Sequence, residues 1–285
     1  MIGIYHSRDL DGFTSGAIIK RRFPDAILIG YDYGQPFDFS LIENEQVIMA
    51  DVSLPMEQMI LLAGKSSSFT WIDHHISAIK EYQSQPAFEL LPIETVLDSK
   101  LSACELTWNY LFPDEEMPRG IKYLGEYDTW RNDNKDRWEN EILPYQFGMR
   151  LRCSSPHTFP WESVVGFLDV AEEYNIIFEG KIILKYQSHQ NQRACNSSFE
   201  CEFEGLRAIC LNGGGFNSEA FKSVYDEEKH DIMMPFQYNG KFWVISMYTT
   251  KDIDCSVIAK SRGGGGHKKA AGFQVDDIRS VFPHL

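Results

Sequence analysis

Thr70-Trp71-Ile72-Asp73-His74-His75 carries an apolar run into an acid and two adjacent imidazoles. Imidazole suits borderline divalent ions and carboxylate suits Mg2+ or Mn2+, so the tripeptide is a candidate metal-binding corner. Adjacent residues of an extended strand point to opposite faces. A straight strand end therefore cannot offer both imidazoles to one ion, and one is expected to ligate while the other faces substrate. His6-Ser7-Arg8-Asp9-Leu10-Asp11-Gly12 is a second candidate, with two acids and a histidine crowded into one turn. A helix cap at Asp11 needs only one acid. Asp51 closes the apolar run Val47-Ile48-Met49-Ala50, and Asp128 follows the apolar segment Ile121–Tyr127, where by itself it reads as a turn residue. A third kind of site is spelled by Arg262-Gly263-Gly264-Gly265-Gly266-His267-Lys268-Lys269-Ala270-Ala271-Gly272-Phe273. Consecutive glycines expose backbone N–H groups and reach positive φ, and such concave backbone binds anions. Arg262, Lys268 and Lys269 are the expected cations at its rim, with Ala270-Ala271-Gly272 opening a close-packed helix.

The elements that must position these residues follow from the apolar pattern. Met1–Tyr5, Ala26–Tyr31, Val47–Ala50 and Phe69–Ile72 read as short buried strands. Helices are expected over Thr14–Phe23, Pro55–Gly64 and Leu101–Phe112. Strands alternating with helices imply an α/β fold with a doubly wound, mostly parallel sheet. In such a sheet the strands' C-terminal ends share one edge, so Asp9, Asp11, Asp51 and Asp73-His74-His75 converge there. Ser154, Ser155 and Pro156 mark a change of pattern, and helical spacing through Ile176, Ile177, Ile183 and Leu184 suggests a helical connector. Strands at Leu206–Leu211 and Phe242–Met247, a helix near Ser218–Tyr225 and a short helix over Cys255–Ser261 suggest a smaller C-terminal α/β domain. The expected division is 1–155, a connector over 156–197, and 198–285.

Bulk composition narrows the function. A 43% hydrophobic fraction supports a sizeable core, and no stretch is long enough for a membrane span. Six scattered cysteines with no Cys-x-x-Cys pair argue against a zinc ribbon and suit reduced thiols in a cytoplasmic protein. A net charge of −14 disfavours tracking of long duplex nucleic acid, which needs a broad basic surface, but permits a small anion held locally or through metal ions.

Together these motifs resemble the DHH phosphoesterase superfamily, in the subgroup with a DHHA1 C-terminal domain and nano-RNase and RecJ relatives. His-x-x-Asp-x-Asp-Gly over His6–Gly12, strand-end Asp51, Asp73-His74-His75 and Asp128 match its N-terminal motifs in order, and Gly263–His267 with Ala270-Ala271-Gly272 matches its second-domain glycine motif. The resemblance implies two Mn2+ (or Mg2+) ions, with Asp9 and His6 on one, Asp11, His74 and Asp128 on the other, and Asp51 bridging. It implies that Asp73 orients His74, that His75 contacts the scissile phosphate or leaving group, and that Arg262, Gly264, Gly265, Gly266 and His267 grip the far end of the substrate. The implied activity is two-metal hydrolysis of short oligonucleotides or dinucleotides, in a soluble protein that admits a homodimer. The alternatives are a RecJ-like single-strand exonuclease, a cyclic-dinucleotide phosphodiesterase, a 3′-phosphoadenosine 5′-phosphate phosphatase and, from another class, a non-catalytic nucleotide-binding protein.

Overall fold

The computed structural model describes residues 1–85, 91–158, 161–166 and 170–283. The chain divides into two compact units, Met1–Leu184 and Lys185–Leu285. The division falls inside a long helix, Val170–Ala194.

The first unit is built on a five-stranded sheet of β1 (Ile2–His6), β2 (Ile27–Tyr31), β3 (Gln46–Ala50), β4 (Ser68–Asp73) and β5 (Ile93–Leu97). The order is β2-β1-β3-β4-β5 and every pairing is parallel. Parallel neighbours need crossovers, which here include α1 (Leu10–Arg22), α2 (Met56–Lys65) and α3 (Ile76–Gln83). The chain winds one way from β1 to β2 and the other way from β3 through β5, so the switch point lies between β1 and β3, where ligands of open α/β sheets bind. Register makes the convergence specific. Tyr5 pairs with Ala50, and Ala50 with Ile72. The next residues along the three strands are His6, Asp51 and Asp73.

Strands β1, β3 and β4 are buried almost throughout, as near-continuous apolar runs in a sheet covered on both faces should be. On one face α1 packs against α4 (Ala103–Leu111). α4 opens with a full capping box: the Ser102 side chain accepts from Glu105 N–H, and the Glu105 side chain accepts from Ser102 N–H. Beside them α5 (Arg119–Asp128) and the helix Leu143–Arg152 enclose a core of large side chains that includes Trp108, Tyr123 and Tyr145. The apolar segment leading to Asp128 is thus a helix, and Asp128 is its last residue.

The second unit holds a six-stranded mixed sheet in the order β10-β11-β9-β8-β7-β6. Its strands are β6 (Phe199–Phe203), β7 (Leu206–Asn212), β8 (Ile232–Tyr238), β9 (Trp243–Tyr248), β10 (Gly265–His267) and β11 (Ala270–Val275). The segment expected as a helix near Ser218–Tyr225 is a 3-10 turn, Ser218–Ser223. The expected helix at Ala270-Ala271-Gly272 is instead the start of β11, paired with β9 and β10. Ala271 and Phe273 are buried while their neighbours are not, which is the period of a strand, not of a helix. None of the six cysteines is joined in a disulfide. Among the described residues no helix is long and apolar enough to cross a membrane.

Candidate metal centre

The site begins with how α1 leaves β1. A Cβ on Gly12 would lie 2.0 Å from the His6 carbonyl oxygen, so only glycine lets the helix start this close to the strand end. That approach brings the acids of the turn beside His6. Asp9, not Asp11, is the N-cap: its side chain accepts from Gly12 N–H. Asp11 sits inside the first turn, buried, and its carboxylate turns to another helix. Its two oxygens accept from Ala103 N–H at 2.9 Å and Cys104 N–H at 2.8 Å, the first amides of α4.

Asp51 leaves β3 with φ of 66°, a left-handed conformation unusual for a non-glycine residue. Its backbone N–H still donates to the Ile72 carbonyl, while its carboxylate is directed into the buried rim. The two oxygens face different partners. Asp51 Oδ2 lies 3.5 Å from His6 Nδ1, whose other neighbour is Asp9 Oδ2 at 2.8 Å. Asp51 Oδ1 lies 3.3 Å from His74 Nε2, which is also 3.6 Å from Asp11 Oδ2 and 3.3 Å from Asp128 Oδ2. The structure thereby brings together three overlapping groups able to hold an ion: His6/Asp9/Asp51, Asp11/His74/Asp128 and Asp51/His74/His75, each with ligand atoms within 4.8 Å of one another.

The electrostatics favour a cation. Burial, together with Asp11, raises Asp51 well above the usual carboxylate range. Burial and the Asp11 and Asp51 carboxylates push Asp128 up to about 8, although part of its side chain still meets solvent. For His6, burial pulls the imidazole down, but Asp51 and Asp9 more than offset it and lift it to about 10. Despite its short approach to Asp9, His6 Nδ1 is not aligned for a hydrogen bond, and it and Asp51 Oδ2 are buried without any hydrogen-bond partner. Buried polar atoms are otherwise nearly always paired. Orphaned nitrogen and oxygen atoms pointing at one another among carboxylates fit divalent metal, and the His/Asp donor set suits Mn2+ or Mg2+.

No family model matches the chain. It is 27% identical over 310 residues to the uncharacterized protein R106 of Acanthamoeba polyphaga mimivirus, covering 98% of this chain and 68% of that one. It is 22% identical over 318 residues to the oligoribonuclease NrnB of Bacillus subtilis (strain 168), covering 99% and 75%. Among solved structures, the DHH domain of a member of a ribosomal-protein family matches with a TM-score of 0.61 at 15% identity, over 98% of this chain and 83% of that one. RecJ of Thermus thermophilus, in complex with Mn2+, matches with a TM-score of 0.54 at 15% identity, over 99% and 50%. The chain shares its fold with these proteins.

The tripeptide Asp73-His74-His75 makes a side-chain contact other than the expected Asp73–His74 pair. Asp73 Oδ1 accepts from the backbone N–H of His74 at 2.7 Å and of His75 at 3.1 Å, and it is 2.7 Å from His75 Nδ1. Its ring contact is therefore with His75, not with His74, because the chain turns sharply after β4 and swings the second imidazole back over the carboxylate. Burial lowers the basicity of His75, but Asp73 outweighs it and the net shift is upward. The same turn resolves the strand-face problem: His74 reaches the cation cluster while His75 stays partly exposed.

Two residues of this rim were not singled out from the sequence. Asp32 Oδ1 lies 3.6 Å from His6 Nε2, and its other oxygen is 3.1 Å from Arg8 Nε. The Tyr33 ring sits edge-on to His6 and to His75, with centroids 5.6 and 6.5 Å away. Both follow β2, so the strand-end reading that found Asp51 would have found them had it been applied to that strand.

In the second unit, β10 and β11 form a hairpin carrying the glycine motif. Gly263 and Gly266 have φ of 76° and 135°. A Cβ on Gly264 would lie 2.1 Å from the Gly272 carbonyl oxygen, whereas one on Gly265 would meet nothing within 4 Å. Gly263, Gly264, Gly272 and Phe273 line an open recess of about 380 Å3 with Val244 and Gln274. His267 is exposed. The expected rim cations have partners within the unit. Arg262 donates to Glu204 and stacks over Phe203 and Phe273, Lys268 pairs with Asp252, and Lys269 donates to the Lys251 carbonyl.

Proposed function

We propose that the protein is a metal-dependent phosphoesterase that hydrolyses phosphodiester bonds of short oligonucleotides. The single observation that carries this reading is Asp51: a buried carboxylate on strained backbone, with one oxygen toward His6 and Asp9 and the other toward His74, Asp11 and Asp128. In this proposal His6 and Asp9 hold one ion, Asp11, His74 and Asp128 the other, and Asp51 is shared. A bound divalent pair would neutralise the phosphate and lower the pKa of the attacking water. The chain's own part is to fix donors and protons. Asp73 holds the His75 imidazole through Nδ1 and favours its protonated form, leaving Nε2–H free to donate to a phosphate or leaving oxygen. The rim also keeps Asp51 and most of His6 out of bulk water, while Asp9 stays open to solvent.

Short substrates are favoured by the net charge of −14, which gives no broad basic track for a long strand. The oligoribonuclease relative supports the same class. The proposal extends to Mn2+ as the working ion, to Gly264–Gly266 and His267 as a grip on a distal group, and to a cytoplasmic setting suited to free thiols. The deciding experiment is a product time course with Mn2+ on RNA and DNA of graded length, with cyclic dinucleotides, phosphoadenosine phosphate and a long single strand alongside. Rapid loss of the two- to five-nucleotide RNAs is expected. Preference for the long strand would replace the reading with a processive exonuclease, and binding of every substrate without turnover would leave a nucleotide-binding protein.

A further inference from the structure

α5 ends at Asp128, Thr129 is its C-cap, and Trp130 follows. Trp130 N–H donates to the Tyr127 carbonyl and Arg131 N–H to the Glu126 carbonyl, which closes the helix in a left-handed C-terminal turn. Trp130 is the left-handed residue of that turn, with φ of 56°. Glycine or asparagine normally fills this position, because a side chain there crowds the following carbonyl. A bulky aromatic residue in that conformation is an outlier, and the residue is 58% exposed.

The other non-glycine residues with positive φ among those described each have an account. Asn44 is of the tolerated type. Glu204 shares the β6–β7 hairpin turn with Gly205 and accepts from Arg262. Asp51 belongs to the cation cluster. Trp130 makes no side-chain hydrogen bond among the described residues. Its ring stands edge-on to Tyr127 and Trp138, with centroids 6.1 and 4.9 Å away, and those two rings are stacked on each other at 5.7 Å with planes 6° apart. The pair buttresses the indole without covering it. Trp130 lies two positions along the chain from Asp128, a span of at most about 7 Å between Cα atoms.

We propose that Trp130 is a stacking platform for a nucleobase of the substrate, next to the phosphate held at the Asp128 rim. This rests on the short-oligonucleotide reading and deepens it by naming the part of the substrate that is recognised. Stacking accepts any base, since every base has a π face. The site therefore requires a base without choosing among bases.

The test compares a dinucleotide with analogues in which one or the other nucleotide carries an abasic tetrahydrofuran. For the wild type, removing the base from one of the two nucleotides should lower kcat/KM about tenfold, the stacking contribution expected per base. Trp130→Gly should erase that difference, while Trp130→Phe should retain most of it. Because glycine suits the left-handed turn, Trp130→Gly should melt no lower than the wild type. A base preference in Trp130→Gly equal to that of the wild type would overturn the proposal. So would a fall in its melting temperature together with equal losses on all analogues, which would make the indole a packing element. Calorimetric affinity for the uncleaved phosphorothioate dinucleotide separates this inference from the reading beneath it. Trp130-dependent binding without wild-type turnover removes the hydrolase and keeps the platform, whereas turnover indifferent to bases does the reverse.

Discussion

The two units build their candidate sites by opposite means. In the first, side chains from β1, α1, β3, β4 and α5 meet at one rim, so chemistry is supplied by residues as far apart as His6 and Asp128. In the second, a single hairpin presents main chain, and the cations beside it, Arg262, Lys268 and Lys269, are already held by Glu204, Asp252 and the Lys251 carbonyl. Burial and concentrated charge together lift Asp128 to about 8, whereas a glycine hairpin offers neutral donors that fit many anions. The difference teaches where each unit is vulnerable. One should fail by loss of charge, the other by addition of a methyl group.

The most severe test of that contrast is Asp51→Asn. Removing the shared carboxylate should lower Mn2+-dependent hydrolysis on the order of a thousandfold, equivalent to several kcal/mol of charge stabilisation. The same variant should melt at least as high as the wild type in metal-free buffer, since it removes the repulsion between Asp51 and Asp11 and asparagine tolerates the left-handed φ. Wild-type-like rates would remove the bridging role.

The second test contrasts neighbouring glycines. Gly265→Ala meets open space and should fold normally, yet raise KM for short oligonucleotides about tenfold with little change in kcat, as expected when only uniform binding is lost. Gly264→Ala drives a Cβ onto the Gly272 carbonyl and should instead destabilise the unit by about 1–3 kcal/mol. Unchanged KM in Gly265→Ala would take the hairpin out of substrate binding.

The smallest effect is expected from pH. Between the ordinary Asp pKa of 3.8 and the value near 8 in the fold, Asp128 keeps a proton that the unfolded chain has lost. Rising pH therefore favours unfolding across that window. His6, raised from 6.5 to about 10, adds the same sign above neutrality. The metal-free melting temperature should fall by a few degrees from about pH 5 to pH 8, and the gain on adding Mn2+ should grow over the same range because binding requires deprotonated ligands. A flat metal-free profile would show that the carboxylates do not crowd one another.

Much of the first unit is legible in the sequence because a parallel sheet fixes where strand ends go. Once Val47–Ala50 and Phe69–Ile72 read as strands, Asp51 and Asp73 must share an edge with the His6 turn. What failed was orientation. Nothing in Asp73-His74-His75 says which imidazole bends back to the carboxylate, since that depends on a turn after β4. Asp11 reads as a candidate metal ligand, but nothing near it in the sequence shows that its carboxylate also accepts from α4 amides more than ninety residues away. In the second unit β8 was hidden by Pro235, which argues against a central strand, yet the strand tolerates it with a gap in its pairing to β9. The helix expected after the glycines failed because Ala270-Ala271-Gly272 is too short and too small to show its period of two.

Asp11 leaves a last consequence. One carboxylate both borders the cluster of His74 and Asp128 and receives the opening amides of α4. Occupancy of the centre and the seating of that helix are thus written into the same two atoms. Position 11 is accordingly the place where chemistry and architecture have the least room to drift apart.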